Sequence, residues 1–279
     1  MKIAIVLINL LISVKAFASV HQRVGPDSWA YYGKDFYQRI SGQQKLFKDQ
    51  VGAILNLVHT STAGAFDTIT ATCSGNCYRH TSVGYEGARK IIFGETFIKR
   101  DQAGIFVTDV YCGKKFYYRA LSEVSAMHTE VNIEHTWPQS KFSHAFNKDI
   151  QKSDMHHLFP TDSDANNRRG NFHFGYIEES RNELEVENCS ISRLGDESGH
   201  SVFTPPVAHR GNVARALFYF STRYNLEIPK GEESILRQWH TADPVDVEEV
   251  TRHEIIARYQ QVRNPFVDHP ALAERISDF

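Results

Sequence analysis

Residues 132–175 read NIEHTWPQSKFSHAFNKDIQKSDMHHLFPTDSDANNRRGNFHFG. Carboxylate, imidazole, carboxamide and guanidinium groups crowd into this one span, a mixture suited to metal-dependent phosphodiester chemistry. Its first informative pair is Glu134-His135, preceded by apolar Ile133 and followed by Thr136-Trp137-Pro138. Neighbours on a strand point to opposite faces, but at a strand end both can reach one cavity. Pro138 makes a strand end there, because it has no N–H and biases Trp137 toward extended geometry. Ser153-Asp154-Met155-His156-His157-Leu158-Phe159-Pro160, closed by a second proline, reads as another strand. Thr161-Asp162-Ser163-Asp164 then supplies helix-start chemistry ahead of Ala165-Asn166-Asn167-Arg168-Arg169. The local order is strand, loop, strand, helix.

Three blocks of this span resemble the endonuclease I group of secreted and periplasmic nucleases. They are Glu134 to Ser140, Asp154 to Pro160, and Asn166 to Asn171. Further matches are Arg215-Ala216-Leu217-Phe218-Tyr219-Phe220, Trp239, Pro244 and Asn264-Pro265-Phe266-Val267-Asp268, so the resemblance runs from about Tyr111 to the C-terminus. It implies the ββα-metal, or His-Me finger, motif within an α+β fold of helices flanking a mixed sheet.

The resemblance also assigns parts. His135 becomes the general base, since a neutral imidazole accepts a proton near neutral pH. Glu134 and Asn166 become ligands of one divalent ion. Two hard oxygen ligands suit Mg²⁺, with Mn²⁺ or Ca²⁺ as replacements, better than Zn²⁺, which prefers nitrogen and sulfur. Such an ion stabilises the leaving 3′-oxygen, which implies products with 5′-phosphate ends. The expected substrates are DNA and RNA, cut without base selectivity by a monomer.

One element of the family pattern is missing. Related enzymes carry a phosphate-holding arginine after the Glu-His pair, whereas residues 136–153 contain none and offer Lys141, Lys148 and Lys152 instead. Arg168 and Arg169, beside the proposed ligand Asn166, are the arginines placed to touch phosphate; solvated helix charges are the plain alternative. Lysine neutralises phosphate as a point charge but cannot grip it bidentately. Asp154 reads as a turn or network residue. His156 and His157 read as histidines that satisfy backbone groups, and in the family the second position braces the loop carrying the base.

Met1 to Ala18 has a positive start at Lys2, an apolar stretch and a small-residue finish at Ala16-Phe17-Ala18, the pattern of a secretory signal peptide. Lys15 leaves the apolar run too short to span a bilayer. The expectation is therefore an exported protein, secreted or periplasmic, with 19–279 as a single nuclease domain. Removing Lys2 and Lys15 takes the formal charge from −2 to about −4. Nucleic-acid affinity comes from phosphate neutralisation, so basic groups must gather locally around a cleft. Lys114, Lys115, Arg119, Lys148, Lys152, Arg168 and Arg169 are the candidates. The acidic balance keeps two other classes in view, a nucleic-acid-binding protein without turnover and a phosphodiesterase for small extracellular esters.

Cys73, Cys77, Cys112 and Cys189 make an even count, which in an exported chain suggests two disulfides. Cys73-Ser-Gly-Asn-Cys77 looks like a small closed loop, leaving Cys112 for Cys189; a Cys/His metal site using His80 is the competing reading. Apolar spacing from Phe36 through Leu46 to Leu57 predicts two helices broken at Ser41-Gly42, then a loop over 60–72. A short helix follows over 84–94, with Gly94 as its stop. Residues 105–119 read as a hairpin turning at Gly113, its aromatics Phe116, Tyr117 and Tyr118 packed rather than stacked on bases. Residues 171–176 read as a strand, 178–204 as a hairpin stapled through Cys189, 210–225 as a buried helix, and 232–262 as two helices divided at Asp243-Pro244.

Overall fold

Antiparallel pairing dominates, in four small sheets among the described residues. The structure, a computed structural model, describes residues 26, 28–42, 48–120, 123, 130–197 and 199–279. The expected signal peptide and Leu46 lie outside these. In chain order come α1 (Ser28–Tyr31), α2 (Gly33–Ser41), α3 (Lys48–Asn56), β1 (Val58–Thr60), β2 (Thr68–Thr70) and β3 (Cys77–Tyr78). Next are α4 (Gly84–Ile91), β4 (Ile98–Asp101), β5 (Gly104–Thr108), β6 (Lys115–Tyr118), β7 (Val131–His135), α5 (Lys148–Lys152), β8 (Leu158–Asp162) and α6 (Ser163–Arg169). The chain closes with β9 (His173–Phe174), β10 (Arg193–Glu197), β11 (His200–Thr204), α7 (Arg210–Tyr224), α8 (Lys230–Ala242), α9 (Val247–Gln260) and α10 (Pro265–Asp268).

The α+β class holds, but the expected single mixed sheet is divided. The sheets run β2-β1-β3, β4-β5-β6, β7-β8 and β10-β11-β9, and in the last alone does parallel pairing, of β11 with β9, accompany antiparallel. Other local expectations shift too. The loop over 60–72 carries β2, and α4 passes Gly94 in a π turn over Ile92–Thr96. Among the described residues, no helix is long and apolar enough to cross a membrane.

The second strand of the central span starts later than its sequence suggests. Asp154 accepts from the His156 N–H and opens a 3₁₀ turn over Met155–His157, so β8 begins only at Leu158. Pro160 does not end it: among the described residues β8 pairs with β7 alone, leaving an edge on which a missing N–H costs little. Asp162 then caps α6, its Oδ1 accepting from Asp164 N and Ala165 N, both at 3.0 Å.

Two apolar clusters meet at this unit. One surrounds α7, whose Val213, Leu217, Phe218, Phe220 and Tyr224 are buried against Trp137, Phe174, Trp239 and Phe266. The other packs α4 and the π turn against Val107, Val131, Ile133, Met155, Leu158 and Ile256. Strand β7 lies in the second cluster and hands the chain to the first at Trp137, so Glu134 and His135 fall at the junction. At roughly 1.5–3 kcal/mol per fully buried large apolar side chain, these clusters hold the junction rigid. One close approach is specific: a Cβ on Gly211 would lie 2.0 Å from the Asp243 carbonyl oxygen. Gly211→Ala is therefore expected to cost about 1–3 kcal/mol, read as a lower denaturant midpoint; an unchanged midpoint would contradict this packing.

Both expected disulfides are present, Cys73–Cys77 and Cys112–Cys189, and no cysteine is free. That removes the Cys/His metal reading; His80 instead contacts the Gln260 amide at 3.3 Å.

Candidate active site

Glu134 is 1 % exposed; its Oε1 accepts from the Tyr111 hydroxyl at 2.8 Å and forms an ion pair with Arg169 Nη1 at 3.0 Å. Burial pushes its carboxyl above the ordinary carboxylate range, with Arg169 and the Tyr111 hydroxyl pulling against it. Tyr111 is itself fixed by the turn between β5 and β6. There Asp109 accepts from the N–H groups of Tyr111, Cys112 and Lys114, Ser192 Oγ donates to the Tyr111 carbonyl, and the Cys112–Cys189 bond ties the turn to a distant segment.

Arg169 is not open to a phosphate. It is 1 % exposed, and besides Glu134 it donates to the carbonyls of His135 at 3.2 Å and Thr136 at 2.7 Å while lying 4.5 Å over the Phe174 ring. Its guanidinium clamps the end of β7, which corrects the expectation of a substrate contact. An arginine at the last turn of a helix reads identically in sequence whether it faces in or out. Arg168 does face solvent, with Glu185 at 3.7 Å.

His135, the last residue of β7, sends Nε2 to the Lys152 carbonyl at 3.1 Å. A carbonyl only accepts, so the proton is on Nε2 and Nδ1 carries the lone pair, which accepts from the Gln139 amide nitrogen at 3.3 Å. Burial first, and then the neighbouring His157, lower the His135 pKa to about 3. The ring is therefore neutral across the physiological range. It stacks on Tyr85 at 5.7 Å and meets His157 edge-on at 5.4 Å. His157 hangs from the Gln151 carbonyl by Nε2 at 2.9 Å, and burial lowers its pKa to about 4. Behind it Asp154 accepts from Tyr219, Tyr224 and Gln260, with Arg223 at 3.5 Å. Burial alone would raise that carboxyl, but Arg223 and the surrounding histidines hold it well below the usual range. Asp154 and His156 are network residues, the latter bonded to the Val262 carbonyl.

Asn166, on α6, donates through Nδ2 to Asn132 Oδ1 at 2.7 Å and to the Ile133 carbonyl at 3.3 Å. Its nitrogen is thus spent beside Glu134, and among the described residues no donor reaches Asn166 Oδ1 or Glu134 Oε2. One carboxylate oxygen and one amide oxygen are left for a hard cation, and a carboxyl whose charge is disfavoured by burial fits added positive charge there. A second acidic group, His253, Glu254 and Asp268, is already filled by Arg263, which donates to both carboxylates.

Several expected cleft cations are paired elsewhere, Lys114 with Asp162 and Lys115 with Asp101. Tyr118 is buried and Phe116 partly so, while Tyr117 is exposed and donates to Asp101. Sequence reasoning missed three groups that shape the site. Tyr111 had a signal, since its Tyr-Cys-Gly element precedes the Glu-His strand; the Lys152 carbonyl and the Tyr85 face had none.

The Endonuclease I family model matches residues 66–271. An extracellular ribonuclease of Bacillus subtilis (strain 168) is 34% identical over 163 residues, 52% of this chain and 53% of that protein. An extracellular deoxyribonuclease of Aeromonas hydrophila is 31% identical over 126 residues, 45% of this chain and 52% of that protein. Endonuclease-1 of Buchnera aphidicola subsp. Baizongia pistaciae (strain Bp) is 22% identical over 198 residues, 61% of this chain and 78% of that protein. The chain spans about half the length of the first two.

Proposed function

The chain belongs to the endonuclease I family, and from that premise we propose that it is an exported, secreted or periplasmic, Mg²⁺-dependent endonuclease that hydrolyses DNA and RNA through a ββα-metal motif built from β7, β8 and α6. The observation that carries this reading is the pairing of a tautomer-fixed neutral His135 with a Glu134 held on one oxygen and open on the other. Relatives named as ribonuclease and as deoxyribonuclease support a substrate range covering both nucleic acids.

The steps follow from the residues. Nδ1 of His135, released by the Gln139 amide, takes a proton from water, and the resulting hydroxide attacks phosphorus in line with the 3′-oxygen; that bond breaks and the 3′-oxygen takes a proton from solvent, leaving a 5′-phosphate and a 3′-hydroxyl. Nε2 stays on the Lys152 carbonyl throughout, so the imidazole does not rotate as it becomes charged. Glu134 and Asn166 would hold a divalent ion, which would supply positive charge for the phosphate and the departing 3′-oxygen. Tyr111 and Arg169 keep the Glu134 carboxylate in one orientation, and second partners of this kind matter for metal affinity. Tyr111→Phe is expected to raise the Mg²⁺ concentration for half-maximal cleavage about tenfold; no shift in that titration would remove the role given to the hydroxyl.

The test compares supercoiled plasmid, structured RNA and bis(p-nitrophenyl) phosphate with the oxidised protein and Mg²⁺. Cleavage of both nucleic acids, well ahead of the small diester, with plasmid fragments that ligate without prior phosphorylation, is the expected result. Preference for the small diester would instead make the protein a general phosphodiesterase.

A further inference from the structure

Every nuclease of this chemistry needs a cation for the non-bridging oxygens of the scissile phosphate, and the geometry here eliminates most of the nearby candidates. Arg169 is buried and spent on Glu134 and two carbonyls. Arg168 faces Glu185. Lys141 turns away to His173, 3.3 Å from its Nζ, beside a cavity of about 220 Å³ that lies behind Trp137 and Pro138. Lys148 is exposed at the opposite end of α5 from Lys152.

Lys152 differs from all of these. Its carbonyl fixes the His135 imidazole, so its main chain is already part of the site. Its Nζ sits 4.4 Å over the Tyr85 ring, and the same ring stacks on His135 at 5.7 Å; in series, these contacts keep Nζ within about 10 Å of the imidazole centroid. Among the described residues no carboxylate forms an ion pair with it. An ammonium resting on an aromatic face is held weakly, by about 0.5–1 kcal/mol where solvent reaches it, and keeps its full charge for a stronger anion. A flexible four-carbon stem lets Nζ leave the ring face while the main chain stays fixed on His135.

Resting on the nuclease reading above, we propose that Lys152 is a catalytic residue: its Nζ holds a non-bridging oxygen of the scissile phosphate, with the Tyr85 ring as the platform from which it reaches. The residue thus acts twice, through its carbonyl on the base and through its side chain on the substrate. A flexible point charge replaces a planar fork, so the contact neutralises charge without fixing the angle of the phosphate.

The test measures plasmid nicking and steady-state oligonucleotide cleavage with Mg²⁺ for the wild type, Lys152→Met, Lys152→Arg and Lys148→Met. Lys152→Met keeps the apolar stem over Tyr85 and the carbonyl on His135, so the fold and the base are preserved; thermal unfolding verifies this. A loss of at least about 100-fold in kcat, a change of only a few fold in KM, recovery to within about tenfold in Lys152→Arg, and normal turnover by Lys148→Met are expected. Lys152→Met that turns over within threefold of wild type overturns the assignment while leaving the nuclease reading intact. A wild type that cuts no nucleic acid removes the reading and the assignment with it.

Discussion

His135→Ala is expected to lower the rate of Mg²⁺-dependent cleavage by about 10²–10⁴-fold with little change in substrate affinity. The size of the loss follows from how completely the proposed site commits to this one imidazole. Its Nε2 is bound to the Lys152 carbonyl, its ring stacks on Tyr85 and is met edge-on by Phe142 and His157, and its neighbour Glu134 is engaged by Tyr111 and Arg169. His157 cannot step in. Its Nε2 serves the Gln151 carbonyl and its ring is fully buried against Phe220. The side chain removed is small and lies at the edge of the apolar clusters, so the variant should keep a cooperative thermal transition. Glu134→Ala should lose activity on the same scale for a different reason: it removes a ligand oxygen and strands the buried Arg169 without its carboxylate. That variant alone is expected to lose several kcal/mol of stability as well. Equal cleavage rates for His135→Ala and wild type would exclude His135 as the base.

The second large effect is on stability in acid. His80, His135 and His209 are held at about 3 and His157 at about 4, each chiefly by burial, and His156 is lowered well below the ordinary value for the same reason. In the unfolded chain these imidazoles titrate near 6.5. Above that pH both states are neutral and the histidines contribute no pH dependence. As pH falls from about 6.5 toward 4, the unfolded state takes up protons that the folded state refuses, and stability is lost throughout that window. At about 1.4 kcal/mol per unit of separation and per group, even a fraction of the full effect from five histidines amounts to several kcal/mol. Asp154 extends the loss: its carboxyl is held low by Arg223, so its contribution disappears at still lower pH. Denaturant unfolding at pH 7.5 and pH 4.5, with both disulfides intact, should show a fall of more than about 3 kcal/mol. Equal values at the two pH settings would mean that these rings are not buried neutral.

The local order of residues 132–175 was legible because it is written in side chains with few alternatives. Pro138 marked the end of β7, Asp162 announced the start of α6, and the apolar spacing from Val213 to Tyr224 announced a buried helix. The close spacing of Cys73 and Cys77 left one partner for Cys112. What stayed hidden depends on direction and on the main chain. Arg168 and Arg169 are chemically alike, yet the turn of α6 sends one to solvent and the other beneath Glu134. The start of β8 was displaced by a 3₁₀ turn that rests on one Asp154 side-chain bond. The Lys152 carbonyl, which fixes the tautomer of His135, belongs to a bond any residue at that position could make, so no pattern could point to it. The division of the sheet likewise follows from where short strands find partners after the helices have packed, a consequence of tertiary contacts.

The proposed mechanism requires a divalent ion at the Glu134 and His135 site. The measurement that addresses it is nicking of supercoiled plasmid by the oxidised protein, titrated with Mg²⁺ from an EDTA-stripped starting point. Nicking that is absent in EDTA, restored by Mg²⁺ in a saturable manner, and lost from Glu134→Ala at every Mg²⁺ concentration is the predicted result. Nicking that persists in EDTA, or that Glu134→Ala retains in full, would contradict it.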